Sequence, residues 1–240
     1  MIQTLRIGSG MSLWLAMMIY DYQVTIDGPA ATGKTTVGKI VADQLGWRFL
    51  DTGVMYRAAT KVLLEANIDL KDKDAMAKKI NDSDLRVEYT GDGTRLFVSE
   101  SDITDYLRDN EVEARVSLVS EVLAIRELMV LNQRQIAKKG PIVMVGRDIG
   151  SVVLPNANKK IYLDASVRTR ALRRIRDTKN KTVDDVIKDI ISISFSSPKK
   201  EESSIVLSSA ASIIFFVEHS CMCKWFIQVA FLMSNRAPDF

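Results

Sequence analysis

The chain has 240 residues, of which 47% are hydrophobic and 26% are charged. This length and composition are those of an ordinary soluble protein, with a buried core in one globular domain with inserts or in two small ones. The net charge of +3 is mild, and the basic residues do not form one long run. Charge therefore gives no reason to expect nucleic-acid binding and favours phosphate-bearing small molecules as the anionic partners.

The two cysteines, Cys221 and Cys223, are too few for a disulfide framework. We expect free thiols in a reducing compartment and a cytoplasmic location. His219 completes a His-x-Cys-x-Cys pattern, but a zinc site needs a fourth ligand. The sequence therefore does not predict a zinc site.

Two apolar segments, residues 11–20 and 203–217, are shorter than the ~20 apolar residues of a membrane-spanning helix. The first also lacks the small-residue cleavage region of a signal peptide. We expect residues 1–21 to be an N-terminal extension, which is either disordered or lies mostly upstream of a working start at Met17 or Met18. No membrane association is expected from either segment.

A phosphate-binding loop is the first motif along the chain. It follows an alternating, strand-like run at residues 22–26 and precedes apolar residues at helical spacing. The loop fits the pattern G-x-x-x-x-G-K-[ST], whose backbone N–H groups surround phosphate oxygens. Lys34 would reach the β- and γ-phosphates of a nucleoside triphosphate such as ATP, and the Thr35 hydroxyl would bind Mg²⁺. The predicted nucleotide-binding residues are Gly28, Pro29, Ala30, Ala31, Thr32, Gly33, Lys34, Thr35 and Thr36.

The remaining pattern predicts an α/β fold, in which a doubly wound parallel sheet is flanked by helices. A small antiparallel hairpin forms an insert within it. The predicted elements after the loop helix are a strand at 47–50, helix at 54–82, hairpin strands at 85–89 and 94–98, helix at 111–139, and strands at 141–145 and 160–163.

Charged residues follow three of the predicted parallel strands. Asp51 ends one strand, Arg147 and Asp148 follow the next, and Asp164 ends the last. Ligands of such sheets bind beyond the carboxyl ends of the strands. We therefore expect these four side chains to project toward the edge that carries the phosphate loop.

Arginines form two further groups. Five lie between Arg168 and Arg176, and of these we assign Arg170 and Arg174 to charge stabilisation in a transition state, with a solvated basic face as the alternative. The arginines of the second group lie elsewhere in the chain. They could be surface salt-bridge partners, but the segments that carry them converge on one cleft. A second bound phosphate explains them better, since guanidinium groups bind phosphate with two hydrogen bonds. These residues are Arg57, Arg108, Arg126 and Arg147.

Five motifs in order resemble the bacterial-type cytidylate kinases over about residues 22–178. They are IDGPAATGKTT (26–36), LDTGVMYR (50–57), ITDYLRDNEV (103–112), VGRDIGSVVLP (145–155) and KIYLDAS (160–166). The resemblance implies a nucleoside monophosphate kinase with the P-loop NTPase fold and a helical lid. Its kinase domain would span 22–208, with a core of 22–56, 112–166 and about 204–208, an acceptor-binding insert of about 57–111 and a lid of about 167–190. A divergent tail of 209–240 would follow the domain.

The resemblance also implies the reaction, which is transfer of the γ-phosphoryl group of Mg-ATP to CMP or dCMP by a monomer. The acceptor phosphate is already ionised, so no general base is needed and positioning and charge carry the rate. The catalytic residues would be Lys34, Arg147, Asp148, Arg170 and Arg174. Contacts with the CMP acceptor would come from Thr52, Arg57, Ser117, Arg126, Arg147 and Asp148.

Two departures from the family pattern affect these expectations. Val145 stands where the family often has an acidic residue, so Thr35 with Asp51 or Asp148 are the Mg²⁺ candidates. From about Ile191 the arginine- and aspartate-rich family segment is missing. A divergent tail, a shifted reading frame or a degraded copy would each explain it, and we favour the last two. Another small P-loop kinase, or a non-catalytic ATP-binding protein, is the alternative function.

Overall fold

The structure is a computed structural model that describes residues 21–90, 93–175, 182, 184–188 and 205–208. Its main sheet has five strands in the order β2-β6-β1-β7-β8, and all of its pairings are parallel. A second, antiparallel sheet has the order β3-β4-β5. The strands are β1 (Gln23–Asp27), β2 (Arg48–Asp51), β3 (Leu85–Thr90), β4 (Gly93–Val98), β5 (Ser101–Asp102), β6 (Ile142–Gly146), β7 (Lys159–Asp164) and β8 (Ile205–Ser208).

Helices connect these strands, with one short 3-10 turn at Thr104–Tyr106 and one π-helical turn at Ile149–Val153. The α-helices with described bounds are α1 (Lys34–Leu45), α2 (Thr52–Glu65), α3 (Lys73–Asn81), α4 (Asn110–Ser120), α5 (Leu123–Ala137) and α6 (Val167–Ile175), and residues 184–188 are also helical. The predicted α/β class is confirmed, with a parallel core sheet flanked by helices and a small antiparallel insert.

The two long predicted helices are each two helices in the structure. In the 54–82 region, Asn67 adopts a left-handed φ of 51° just after α2. The Asp72 side chain then accepts the N–H of Ala75 and caps α3. In the 111–139 region, the Ser120 hydroxyl donates to the carbonyl of Ser117 at 2.9 Å where α4 ends. Local capping therefore divides each predicted helix into two, although the apolar periodicity of the sequence continues across the break.

The central strand β6 is buried along its whole length, as expected for a parallel strand covered on both faces. Its side chains alternate between two apolar clusters. Ile142 and Met144 belong to the cluster that includes residues of α2 and α5. Val143 and Val145 belong to the cluster that includes residues of α1. Helices therefore cover both faces of the sheet.

The small antiparallel sheet is attached to β2, the edge strand of the main sheet. The Thr94 hydroxyl donates to the carbonyl of Phe49 at 2.6 Å. The Arg48 guanidinium lies 5.3 Å from the centre of the Tyr89 ring and donates to the carbonyl of Ile136 at 2.8 Å. The contacts of Thr94 and Tyr89 hold the insert beside the core, and the bond to Ile136 fixes the Arg48 side chain.

Parallel register brings the strand ends to one edge. Asp27 at the end of β1 is aligned with Gly146 of β6, and Asp51 at the end of β2 is aligned with Val145. The side chain of Asp51 also accepts the N–H of Gly53 and so caps α2.

Among the described residues, no helix is both long enough and apolar enough to cross a membrane.

Close packing of α1 on the sheet requires glycine at position 38. An added Cβ there would lie 2.5 Å from Cγ1 of Val145 and 2.8 Å from Cε2 of Phe49. Alanine normally stabilises a helix by about 1 kcal/mol relative to glycine, whereas overpacking a core costs about 1–3 kcal/mol.

We therefore expect Gly38→Ala to lower the free energy of unfolding by about 1 kcal/mol, because the clash outweighs the gain in helix propensity. Urea denaturation followed by circular dichroism measures the change. Lys39→Ala, at the next and exposed position of α1, is the matched control. A Gly38→Ala protein as stable as the wild type would contradict this packing argument.

Candidate active site

The phosphate loop has the backbone shape that its glycines allow. Gly28 has a φ of +148°, and a Cβ at this position would lie 2.1 Å from the carbonyl oxygen of Leu163. Gly33 has a φ of +96° and immediately precedes α1. Only glycine adopts both of these conformations without strain. The loop therefore packs against β7 while its backbone remains curved.

The amino end of α1 opens toward this loop. Its N-cap residue, Gly33, has no side chain that could bond to the first-turn N–H groups. Such N–H groups and the helix dipole favour an anion. Thr35 and Thr36 are exposed on the first turn of this helix. The predicted nucleotide-binding residues thus form one continuous loop and helix start, an arrangement that favours binding of a phosphate group.

Lys34 folds back over the loop, where its Nζ donates to the carbonyl oxygen of Pro29 at 2.6 Å. Burial lowers the pKa of Lys34 from 10.5 to about 8. Asp51 and Asp27 oppose this effect, whereas the cationic Arg147 and Arg170 add to it. The ammonium group therefore lies among other charged side chains at the same edge.

We expect Lys34 of the ligand-free protein to lose its charge as the pH rises through about 8, because burial disfavours the charged form. Competitive acetylation followed by peptide mass spectrometry measures the pH at which the reactive neutral amine appears. Lys39, exposed on the same helix, provides the comparison within one sample. A midpoint for Lys34 near 10.5 would contradict the burial of its ammonium group.

Two oxygen-bearing side chains meet between α1 and β2. The Thr35 hydroxyl donates to Oδ2 of Asp51 at 2.7 Å. Among the described residues, no group of three or more acidic, histidine or cysteine side chains could enclose a metal. Mg²⁺ bound with a nucleotide usually takes one or two carboxylates, with waters and phosphates as its other ligands. The oxygen donors Thr35 and Asp51 fit that requirement.

Two of the arginines that the sequence predicts to bind the acceptor form ion pairs with carboxylates. Nε of Arg57 donates to Oε1 of Glu113 at 2.7 Å, which joins α2 to α4. Nη2 of Arg126 donates to Oδ2 of Asp148 at 2.6 Å, which joins α5 to the turn after β6. Two of the predicted acceptor contacts, Arg126 and Asp148, are thus in direct contact with each other.

Arg147 lies at the centre of a cationic cluster. Desolvation and the nearby Arg174 are the main causes that lower its pKa, and Arg57 and Arg126 lower it further. The opposing effect of Asp148 does not reverse this shift. Three guanidinium groups, from α2, α5 and α6, therefore act on Arg147 in the turn after β6. We call Arg57, Arg126, Arg147 and Arg174 the arginine cluster.

The two predicted hydroxyl contacts have different surroundings. Thr52 is 4% exposed, and its hydroxyl donates to the carbonyl of Val145 at 3.0 Å. Ser117 is exposed on α4, one helical turn after Glu113. Arg108 is exposed after the 3-10 turn. The structure thus ties Thr52 to the core sheet and leaves Ser117 on the surface.

Helix α6 brings its arginines to the loop in different ways. Arg170 is only 5% exposed, and its Nε donates to the carbonyl of Ala165 at 3.2 Å. Its buried Nη1 has no hydrogen-bond partner among the described residues. Arg173, which sequence reasoning did not select, donates to the carbonyl of Thr32 at 3.0 Å. Arg174 lowers the pKa of Arg147 and is the residue of α6 that belongs to the arginine cluster.

Sequence reasoning also missed Asp27, Tyr56 and Glu113. Asp27 directly precedes the phosphate loop at the end of β1, and that position was the available signal. Tyr56 lies within a recognised motif, and burial raises its pKa, which also responds to Arg126 and Asp148. Glu113 belongs to no motif, so its pairing with Arg57 required the structure.

Comparison with known proteins identifies the family. A family model described as cytidylate kinase matches residues 24–221. The cytidylate kinase of Bacillus subtilis (strain 168) is 45% identical over 161 residues, which cover 67% of this chain and 72% of that protein. The cytidylate kinase of Streptococcus uberis is 46% identical over 163 residues, covering 68% and 72%.

Solved structures are more distant. Shikimate kinase from Bacteroides thetaiotaomicron has a TM-score of 0.38 and 14% identity, covering 71% of this chain and 76% of that chain. The family match extends past residue 178, the expected end of the resemblance. The chain is a nucleotide-binding phosphotransferase and belongs to the cytidylate kinase family.

Proposed function

We propose that this protein transfers the γ-phosphoryl group of Mg-ATP to CMP or dCMP. The observation that carries the proposal is the arginine cluster beside the phosphate loop at one edge of the sheet. One phosphate site needs the loop alone, whereas the cluster supplies charge for a second phosphate. Two anion sites side by side are what phosphoryl transfer between nucleotides requires.

On the donor side, the loop backbone and the amino end of α1 would bind the phosphates of ATP. The Lys34 ammonium group would exchange its bond with the Pro29 carbonyl for one with a phosphate oxygen. The buried Nη1 of Arg170 would gain the partner that it lacks among the described residues. Thr35 and Asp51 would hold Mg²⁺, which neutralises phosphate charge when bound.

On the acceptor side, Arg57, Arg126 and Arg147 would bind the 5′-phosphate of CMP. In the ligand-free protein, Glu113 and Asp148 neutralise part of this cluster. A phosphate group would relieve the remaining repulsion around Arg147 by accepting several charge-assisted hydrogen bonds. Thr52 and Ser117 would complete the contacts with CMP.

The reaction itself would depend on position and charge. An ionised acceptor phosphate attacks the γ-phosphoryl group without a general base, so the protein holds the two phosphates in line. Lys34, Arg170 and Arg174 would stabilise the charge that spreads over the transferred group. The active form in this proposal is a monomer.

We expect purified protein to release ADP from Mg-ATP fastest with CMP or dCMP, and more slowly with UMP, AMP or no acceptor. A coupled spectrophotometric assay measures the initial rates. Lys34→Ala provides the blank, and we expect its rate to fall about 100-fold or more because a preorganised charge is lost at the transferred phosphoryl group.

Two results would contradict the proposal. ATP binding without release of ADP for any acceptor would indicate the alternative function, a non-catalytic ATP-binding protein. Faster turnover with a different nucleoside monophosphate would identify another P-loop kinase. Lys39→Ala, a charge loss at an exposed position of the same helix, is the control that should retain the wild-type rate.

A further inference from the structure

Asp27 connects the two halves of the active site. Its backbone ends β1, and the next residue, Gly28, begins the phosphate loop. Its carboxylate accepts two backbone N–H groups from the turn that follows β6. Oδ1 accepts the N–H of Ile149 at 2.8 Å, and Oδ2 accepts the N–H of Gly150 at 2.8 Å. Each carboxylate oxygen thus holds one amide of that turn.

This turn carries the acceptor-side residues Arg147 and Asp148 at its start. Ile149 is 1% exposed, so the turn is also anchored by an apolar side chain. The turn is π-helical from Ile149 to Val153, a conformation that is rare and frequent at functional sites. Because these contacts fix the turn, they also fix the backbone positions from which the side chains of Arg147 and Asp148 extend.

Glycine at position 150 makes the close approach feasible. A Cβ there would lie 2.7 Å from Oγ1 of Thr25 and 3.2 Å from Oδ2 of Asp27. The turn therefore packs directly on β1. Asp27 also lies close enough to Lys34 to influence that residue's pKa. One carboxylate is thus placed between the donor-side lysine and the acceptor-side turn.

We propose that Asp27 is a positioning residue that fixes the acceptor-binding turn, and with it Arg147 and Asp148, relative to the phosphate loop. This inference rests on the proposed function. An asparagine at position 27 has nearly the same shape but only one accepting oxygen. Its amide NH₂ would face one of the two backbone N–H donors, so the turn would lose one of its two bonds.

We expect Asp27→Asn to reduce kcat with CMP by about 10- to 100-fold, because a small misplacement of reacting groups has effects of this size. The KM for CMP should rise, while the dissociation constant for ATP measured by calorimetry should change by a much smaller factor. Amide hydrogen exchange should accelerate at Ile149 or Gly150. Steady-state kinetics, calorimetry and exchange followed by NMR give the three readouts.

A second variant tests the same contact from the other side. Gly150→Ala leaves the carboxylate intact and pushes the turn away from Thr25 and Asp27. We expect it to reproduce the loss of kcat with CMP. Asp72→Asn is the control, since Asp72 also accepts a backbone N–H, from Ala75 at 2.9 Å, but caps α3 away from the site. It should retain wild-type kinetics.

Unchanged kcat and KM for CMP in Asp27→Asn would overturn the inference. An equal loss of ATP and CMP binding would also overturn it, because it would indicate a general structural role. Failure of the proposed function gives a different result, in which the wild-type protein itself transfers no phosphoryl group to CMP. Calorimetric binding of CMP and the exchange rates of Ile149 and Gly150 would then still test the role of Asp27.

Discussion

The parallel pairing of β1 with β6 is the constraint on which the active site depends. It aligns Asp27 with Gly146, so the phosphate loop and the turn that carries Arg147 leave the sheet side by side. Parallel strands need long connections, and these connections supply α1, α2 and the insert. The same pairing therefore brings the triphosphate-binding loop and the arginine cluster to one edge.

Charge then determines what this edge can bind. Burial lowers the pKa of both Lys34 and Arg147, and neighbouring arginines lower both values further. Carboxylates at Asp51, Glu113 and Asp148 offset the repulsion only in part. Perturbed pKa values of this kind cluster at functional sites, and the net positive charge favours anionic ligands. Membership of the cytidylate kinase family agrees with two nucleotide phosphates in that role.

Much of this arrangement could be predicted from local sequence. The phosphate loop follows from its glycines and its strand-helix context, and the strand-end positions of Asp51 and Asp148 follow from apolar runs. The contacts between distant segments could not be predicted. Asp27 bonds to an amide 122 positions away, and Arg57 pairs with a glutamate 56 positions away. Helix breaks were missed because caps such as Asp72 lie within a continuous helical pattern.

The central claim is that one edge of the sheet binds two nucleotides with their phosphates adjacent. A bisubstrate analogue, in which adenosine and cytidine are joined through a 5′,5′-oligophosphate chain, tests it most directly. Isothermal titration calorimetry should show one analogue per chain, bound far more tightly than ATP or CMP alone, since linking two ligands makes the second binding event intramolecular. An analogue that binds no more tightly than ATP would contradict the account.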